Sequence, residues 1–122
     1  MPSRPLVCVI DDDESMRQSL VGLLRSAGMD AHAHASAEAF LASEEVRSAA
    51  LLVLDVSMPG MTGLQLQETL NERGTATPIV FVSARADDAL QLLSIERGAV
   101  AYFVKPFDEG ELLETIRSVL DT

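Results

Sequence analysis

Cysteine is almost absent. Cys8 stands alone in 122 residues, so no internal disulfide can form and the fold cannot depend on one. Positive charge is scarce as well. Nine Lys and Arg face 19 Asp and Glu, a formal net charge of -10, which disfavours contact with nucleic acid phosphates or an anionic membrane surface. Long apolar runs are missing. No stretch has the length or flanks of a signal peptide or a membrane span, and a reducing cytoplasm is the expected setting. Cys8 lies inside an apolar run with no His or second Cys near it in sequence, which reads as a small buried residue rather than a zinc ligand.

Apolar residues, 48% of the chain, are enough for a core, and the length suits one domain over residues 1–122 with no output domain. Four short apolar runs rich in β-branched residues predict buried strands: Leu6–Ile10, Leu51–Leu54, Ile79–Val82 and Val100–Val104. They do not alternate with polar residues, which favours a parallel sheet covered on both faces. A weaker run, Asp30–Ala35, follows Gly28 with little apolar character beyond alanine and is expected at an edge.

Between the runs, Met16, Leu20, Leu23, Leu24 and Ala27 recur at helical spacing up to Gly28. Ser36 caps a short second helix carrying Ala39, Phe40 and Val46, with Glu38 and Glu44 facing solvent. Thr62-Gly63 opens a third helix through Leu64, Leu66 and Leu70 to Gly74, and Ala89, Leu90, Leu93 and Arg97 mark a fourth closing at Gly98. Asp108 caps a fifth, with Leu112, Leu113, Ile116, Val119 and Leu120 as one stripe. The alternation predicts an α/β, flavodoxin-like (βα)5 three-layer sandwich with a parallel five-stranded sheet of order 2-1-3-4-5.

In that order the first and third strands meet at the switch point, and ligands bind beyond the carboxyl ends of the strands. Those ends carry Asp11-Asp12-Asp13, Asp55, Ser83 and Lys105. Crowded carboxylates repel, and a hard, oxygen-preferring cation such as Mg²⁺ relieves the repulsion while sharing its shell with a phosphoryl oxygen. A carboxylate can also be the nucleophile of an in-line displacement, leaving an aspartyl-phosphate. Lys105 can pair with a carboxylate when the site is empty and with a phosphoryl oxygen when it is filled, and Ser83 can donate to another such oxygen. Plainer readings exist: Asp55 as a turn residue, Lys105 as a surface lysine, Ser83 as the end of a strand. They do not explain why all of these residues arrive at one sheet edge. Lys105-Pro106 also permits a cis peptide after the last strand.

The runs Val9-Ile10-Asp11-Asp12-Asp13, Leu54-Asp55 through Gly63, Val82-Ser83-Ala84 and Lys105-Pro106-Phe107 occur in order at matching spacing. With them the chain, from Val7 to Leu120, resembles a receiver domain of two-component response regulators. The resemblance implies that Asp55 is the phosphoacceptor and that Asp12, Asp55 and the backbone carbonyl of Ser57 ligate Mg²⁺, with Asp11 helping through a bound water. It further implies that Ser83 and Lys105 hold the phosphoryl group, and that the Lys-Pro bond is cis. Tyr102 falls at the family's aromatic switch position, moving inward as Ser83 is drawn toward the phosphoryl oxygen; its plainer reading is a partly buried aromatic. Ser57 and Arg85, two residues after Asp55 and Ser83, are expected to flank the path of attacking water. Asp13 stands where many receivers have glutamate and is expected at the start of the first helix.

The implied activity is switching, in which the chain catalyses only its own phosphorylation and dephosphorylation. The implied partners are a sensor histidine kinase and an output domain or downstream protein, and the resemblance allows a phosphorylation-dependent homodimer through the fourth and fifth helices. The segment Ser36-Ala37-Glu38-Ala39-Phe40 resembles receivers that carry a helix-turn-helix output domain. Three readings compete. A haloacid-dehalogenase-like phosphatase has a second aspartate two residues after its nucleophile, where this chain has Ser57. A flavin-binding flavodoxin needs a phosphate-cradling loop where this chain has carboxylates. A degenerate receiver serving only as an interaction module would lack a key residue, and none is missing.

Overall fold

The computed structural model describes residues 4–121, so Met1–Ser3 and Thr122, the ends of the expected 1–122 span, lie outside the described residues. In chain order the elements are β1 (Leu6–Ile10), α1 (Glu14–Ser26), β2 (Asp30–His34), α2 (Ala37–Leu41), α3 (Glu45–Ser48) and β3 (Leu51–Leu54). They continue with α4 (Gly63–Glu72), β4 (Ile79–Ser83), α5 (Asp88–Glu96), β5 (Ala101–Val104) and α6 (Glu109–Leu120). All strand pairs are parallel and the order is β2-β1-β3-β4-β5, the flavodoxin-like arrangement expected from the alternation of elements.

Side chains alternate across each strand, so every central strand feeds two cores. Val7 and Val9 of β1, Leu51 and Val53 of β3, and Val80 and Val82 of β4 pack with Leu20 and Leu24 of α1 and Leu112 and Ile116 of α6. On the opposite face Cys8 and Ile10, Leu52 and Leu54, and Ile79 and Phe81 pack with Phe40 of α2 and with Leu66 and Leu70 of α4. Both faces being covered is why β1, β3 and β4 read as unbroken apolar runs. Among the described residues no helix is long and apolar enough to cross a membrane.

Helix starts follow the side-chain caps. Asp13 Oδ1 accepts from the Met16 amide at 3.2 Å, Ser36 Oγ from Ala39 at 3.0 Å, and Asp108 Oδ1 from Glu111 at 3.0 Å. Thr62 and Gln65 complete a reciprocal capping box at α4. Gly28, at φ 89°, turns the chain out of α1 into β2, a conformation that glycine alone adopts without cost.

Several expectations are corrected. The second helix is two pieces, because Ser43 Oγ donates to the Phe40 carbonyl at 2.7 Å and accepts from the Glu45 amide at 3.3 Å, which ends α2 before α3 begins. In α2 the buried residues are Ala37 and Phe40, and Ala39 is exposed. The last strand starts at Ala101 rather than Val100, which is 40% exposed. It is half-buried rather than buried, because the strand order leaves it at an edge opposite β2. Strand β4 runs one residue further, to Ser83, and β2 stops at His34, one residue short of Ala35. Helix α5 buries only Ser94 fully, leaving Ala89 exposed. Gln67 of α4 donates from Nε2 to the Ser94 carbonyl at 2.9 Å, a polar contact that holds α5 close while Leu92 and Ile95 face outward.

Candidate functional site

The parallel ladder continues one residue past the strands and carries the polar residues to a common edge. The Asp11 amide donates to the His34 carbonyl at 3.2 Å, that of Asp55 to Ile10 at 3.0 Å, and that of Lys105 to Ser83 at 2.8 Å. Backbone pairing thus fixes where each side chain leaves the sheet. Asp11 and Asp55 are buried, Asp12 is exposed, and the three place carboxylate oxygens within 4.8 Å of one another.

Lys105 Nζ lies 3.2 Å from Asp11 Oδ2, with the lysine side chain 19% exposed. The ammonium pairs directly with one of the three carboxylates. Burial, with the Asp11 charge next in weight, pushes the Asp55 carboxyl up to about 6, and the Ser57 amide at 3.2 Å and the Lys105 charge only partly oppose this. Asp55 is thus held where loss of its proton is costly without a further cation. Oxygen donors gathered with uncompensated negative charge suit a hard divalent ion.

The remaining predicted residues surround this cluster without all joining it. Ser83 is fully buried at the end of β4, and its Oγ accepts from the Arg85 amide at 3.1 Å. The Arg85 side chain is exposed, with its guanidinium 3.7 Å from the Asp87 carboxylate. Tyr102 donates its hydroxyl to the Arg85 carbonyl at 2.8 Å and packs against Phe81 with ring centroids 6.1 Å apart. The loop after β4 is thereby tied to both Ser83 and Tyr102. Ser57 is exposed, with its amide on Asp55. The Lys105-Pro106 bond is cis, and Asp13 caps α1 while its own amide donates to Asp11 Oδ1 at 2.9 Å.

Sequence reasoning missed three contributors. Arg17 donates from Nη1 to the Asp11 carbonyl at 2.8 Å, and nothing in the sequence separates it from other helical arginines. A Cβ at Gly63 would stand 2.1 Å from the Asp55 carbonyl oxygen; the glycine was readable as a helix start but not as a close approach. Glu38 accepts from the Met61 amide at 3.0 Å, bracing the loop after Asp55 from α2. Cys8 is buried as expected, but its Sγ donates to Glu45 at 3.5 Å, a partner that lies 37 residues away in sequence.

Comparison with known proteins agrees with this geometry. The family model of the response regulator receiver domain matches residues 7–117. The response regulator protein TodT of Pseudomonas putida is 39% identical over 115 residues, covering 94% of this chain and 51% of that protein. The transcriptional regulatory protein FixJ of Azorhizobium caulinodans is 37% identical over 120 residues, covering 98% of this chain and 57% of its own. The chain spans about half the length of these curated relatives. Among solved structures, the response regulator StyR superposes with a TM-score of 0.89 at 39% identity, over 98% of this chain and 60% of that one. The chemotaxis protein CheY4 of Vibrio cholerae superposes at 0.86 with 27% identity, over 96% of this chain and 99% of that one. With the sheet order, the acidic edge and the family match in agreement, the chain belongs to the receiver domains of two-component response regulators.

Proposed function

We propose that this receiver is a phosphorylation switch whose phosphoacceptor is Asp55. The observation that carries the reading is the gathering of Asp11, Asp12 and Asp55 within 4.8 Å at the strand ends, with Lys105 as the cation beside them. Asp12, Asp55 and the Ser57 carbonyl would hold Mg²⁺, with Asp11 assisting, and the uncompensated charge around Asp55 supports that fit. When bound, the ion neutralises the carboxylates and offers incoming phosphoryl oxygens a positive partner.

An Asp55 carboxylate oxygen attacks the phosphorus of a phosphohistidine on a sensor kinase, or of a small acyl phosphate. The new O–P bond forms as the bond to the donor's leaving atom breaks. Lys105 exchanges Asp11 for a phosphoryl oxygen, and Ser83, whose Oγ–H remains free to donate, turns toward another. Because the Arg85 amide rests on Ser83 and the Arg85 carbonyl holds Tyr102, that turn loosens the Tyr102 hydrogen bond and repacks the ring beside α5. The signal then reaches an output domain or downstream partner through the α5–β5 surface, where Leu92, Ile95 and Val100 are exposed and a second phosphorylated copy can dock. Attack of water on phosphorus, with departure of the Asp55 carboxylate, resets the switch.

Incubation with Mg²⁺ and acetyl phosphate, followed by intact-mass measurement, tests the reading. Wild type is expected to gain one phosphoryl mass, with no gain in excess chelator or in Asp55→Asn. Equal gain in Asp55→Asn, or none in wild type, would refute it.

A further inference from the structure

We propose that His32, His34, Glu45 and Cys8 form a second metal site, for a transition-metal dication of the zinc class, apart from the acidic pocket. Three elements build it. Cys8 of β1 is in register with His32 of β2, and Ile10 with His34, so the thiol and both imidazoles stand on one face of the sheet. Glu45, the first residue of α3, reaches down onto them. Its Oε2 meets His32 Nδ1, its Oε1 lies 2.6 Å from His34 Nε2, and the same oxygen accepts from Cys8 Sγ at 3.5 Å.

The ligand atoms of Cys8, His34 and Glu45 lie within 4.8 Å of one another. A single ion bonded at about 2.0–2.3 Å to each fits that spacing, with His32, already on Glu45, as the fourth donor. Imidazole, thiolate and carboxylate together select a zinc-class ion, whereas the all-oxygen acidic pocket suits Mg²⁺. One imidazolium would balance the Glu45 charge; two imidazoles and a thiol aimed at the same carboxylate exceed what charge balance requires.

The surroundings are consistent with an ordered, accessible site. His34 is 14% exposed and stands edge-on to Phe40, with centroids 5.5 Å apart at 76°, which fixes the ring. His32 at 52% and Glu45 at 23% leave an entry from solvent. Burial pushes the Cys8 thiol up to about 12, so its proton stays on sulfur until a metal–sulfur bond replaces it and the proton leaves to solvent.

Titrating the full chain with Co²⁺ and Zn²⁺, under saturating Mg²⁺ to fill the acidic pocket and with a phosphine reductant, tests the proposal. Wild type is expected to bind one Co²⁺ per chain with a thiolate-to-cobalt charge-transfer band, and Zn²⁺ is expected to displace it. Cys8→Ser should abolish the band, His34→Ala and His32→Ala should each weaken binding at least about tenfold, and Asp12→Asn should leave band and affinity intact. His32 is largely exposed, so His32→Ala keeps the test decisive if Cys8→Ser fails to fold. A wild type without the band, equal affinity in wild type, His32→Ala and His34→Ala, or loss of the band in Asp12→Asn would overturn it.

Discussion

Asp55 is the residue on which charge and chemistry meet. Its carboxyl is raised from the ordinary 3.8 to about 6 chiefly by burial, so the metal-free fold disfavours the charged form. The stability this residue contributes is intact below its unfolded value and lost as pH rises through about 6. In excess chelator, Asp55→Asn is therefore expected to be more stable than wild type near neutral pH by on the order of 1–3 kcal/mol, with water at the pocket mouth favouring the lower end. The advantage should vanish near about pH 4. Denaturant melts of both proteins across pH check this, and a pH-independent difference would contradict it. Arg85 is the second test at this scale. Its guanidinium pairs with Asp87, and the residue stands two positions after Ser83 on the loop beside the site, so Arg85→Ala should change aspartyl-phosphate lifetime more than Mg²⁺ affinity. Equal lifetimes, followed by mass spectrometry, would count against a role near the attacking water. Asp11, Asp12, Asp55 and Lys105 were legible because charges at the ends of apolar runs have no packing reason to be there. Arg17 and the Glu45 cluster were not, because their partners are created by the fold: an arginine reaching back to a carbonyl, and a thiol meeting a carboxylate 37 residues away.

At the scale of elements, the junction of β3 and α4 is the tightest device. Gly63 begins α4 directly over the Asp55 carbonyl, and its amide donates to the Val56 carbonyl at 2.9 Å. Alanine is the better helix former. Gly63→Ala is nevertheless expected to destabilise the fold by roughly 1–3 kcal/mol, because the 2.1 Å contact must be relieved by moving the backbone that carries Asp55. Urea unfolding measures the loss, and a neutral or stabilising effect would show that the loop gives way freely. Helix boundaries were readable where a capping side chain precedes an apolar stripe, as at Ser36 and Asp108. The break between α2 and α3 was not, since Ser43 does the breaking with a local hydrogen bond that competes with helix at any serine. The half-burial of β5 was legible in the expected strand order, which puts it at an edge, but not in its apolar run, which reads as a buried strand.

At the scale of the whole molecule, the βα alternation was enough to call for a doubly wound parallel sandwich, since right-handed crossovers leave few alternatives, and the flavodoxin-like order 2-1-3-4-5 is one of them. What the order could not disclose is which outer surface stays uncovered. Helix α5 is that surface: Leu92 is 62% and Ile95 45% exposed beside Tyr102. If this face carries the signal between copies, phosphorylated wild type should self-associate in sedimentation experiments, and Leu92→Ser with Ile95→Ser should remain monomeric while still accepting phosphate. Loss of phosphorylation in the double variant would assign the residues to the fold instead.

The central claim, that the acidic edge makes one aspartate the acceptor, is tested most directly by locating the modified atom. Borohydride reduces an acyl phosphate to the alcohol, so a phosphorylated aspartate becomes homoserine and can be placed by peptide sequencing in a mass spectrometer. After treatment with Mg²⁺ and acetyl phosphate, homoserine is predicted at position 55 alone. Homoserine at 11 or 12 in its place, or no conversion at 55, would contradict the account.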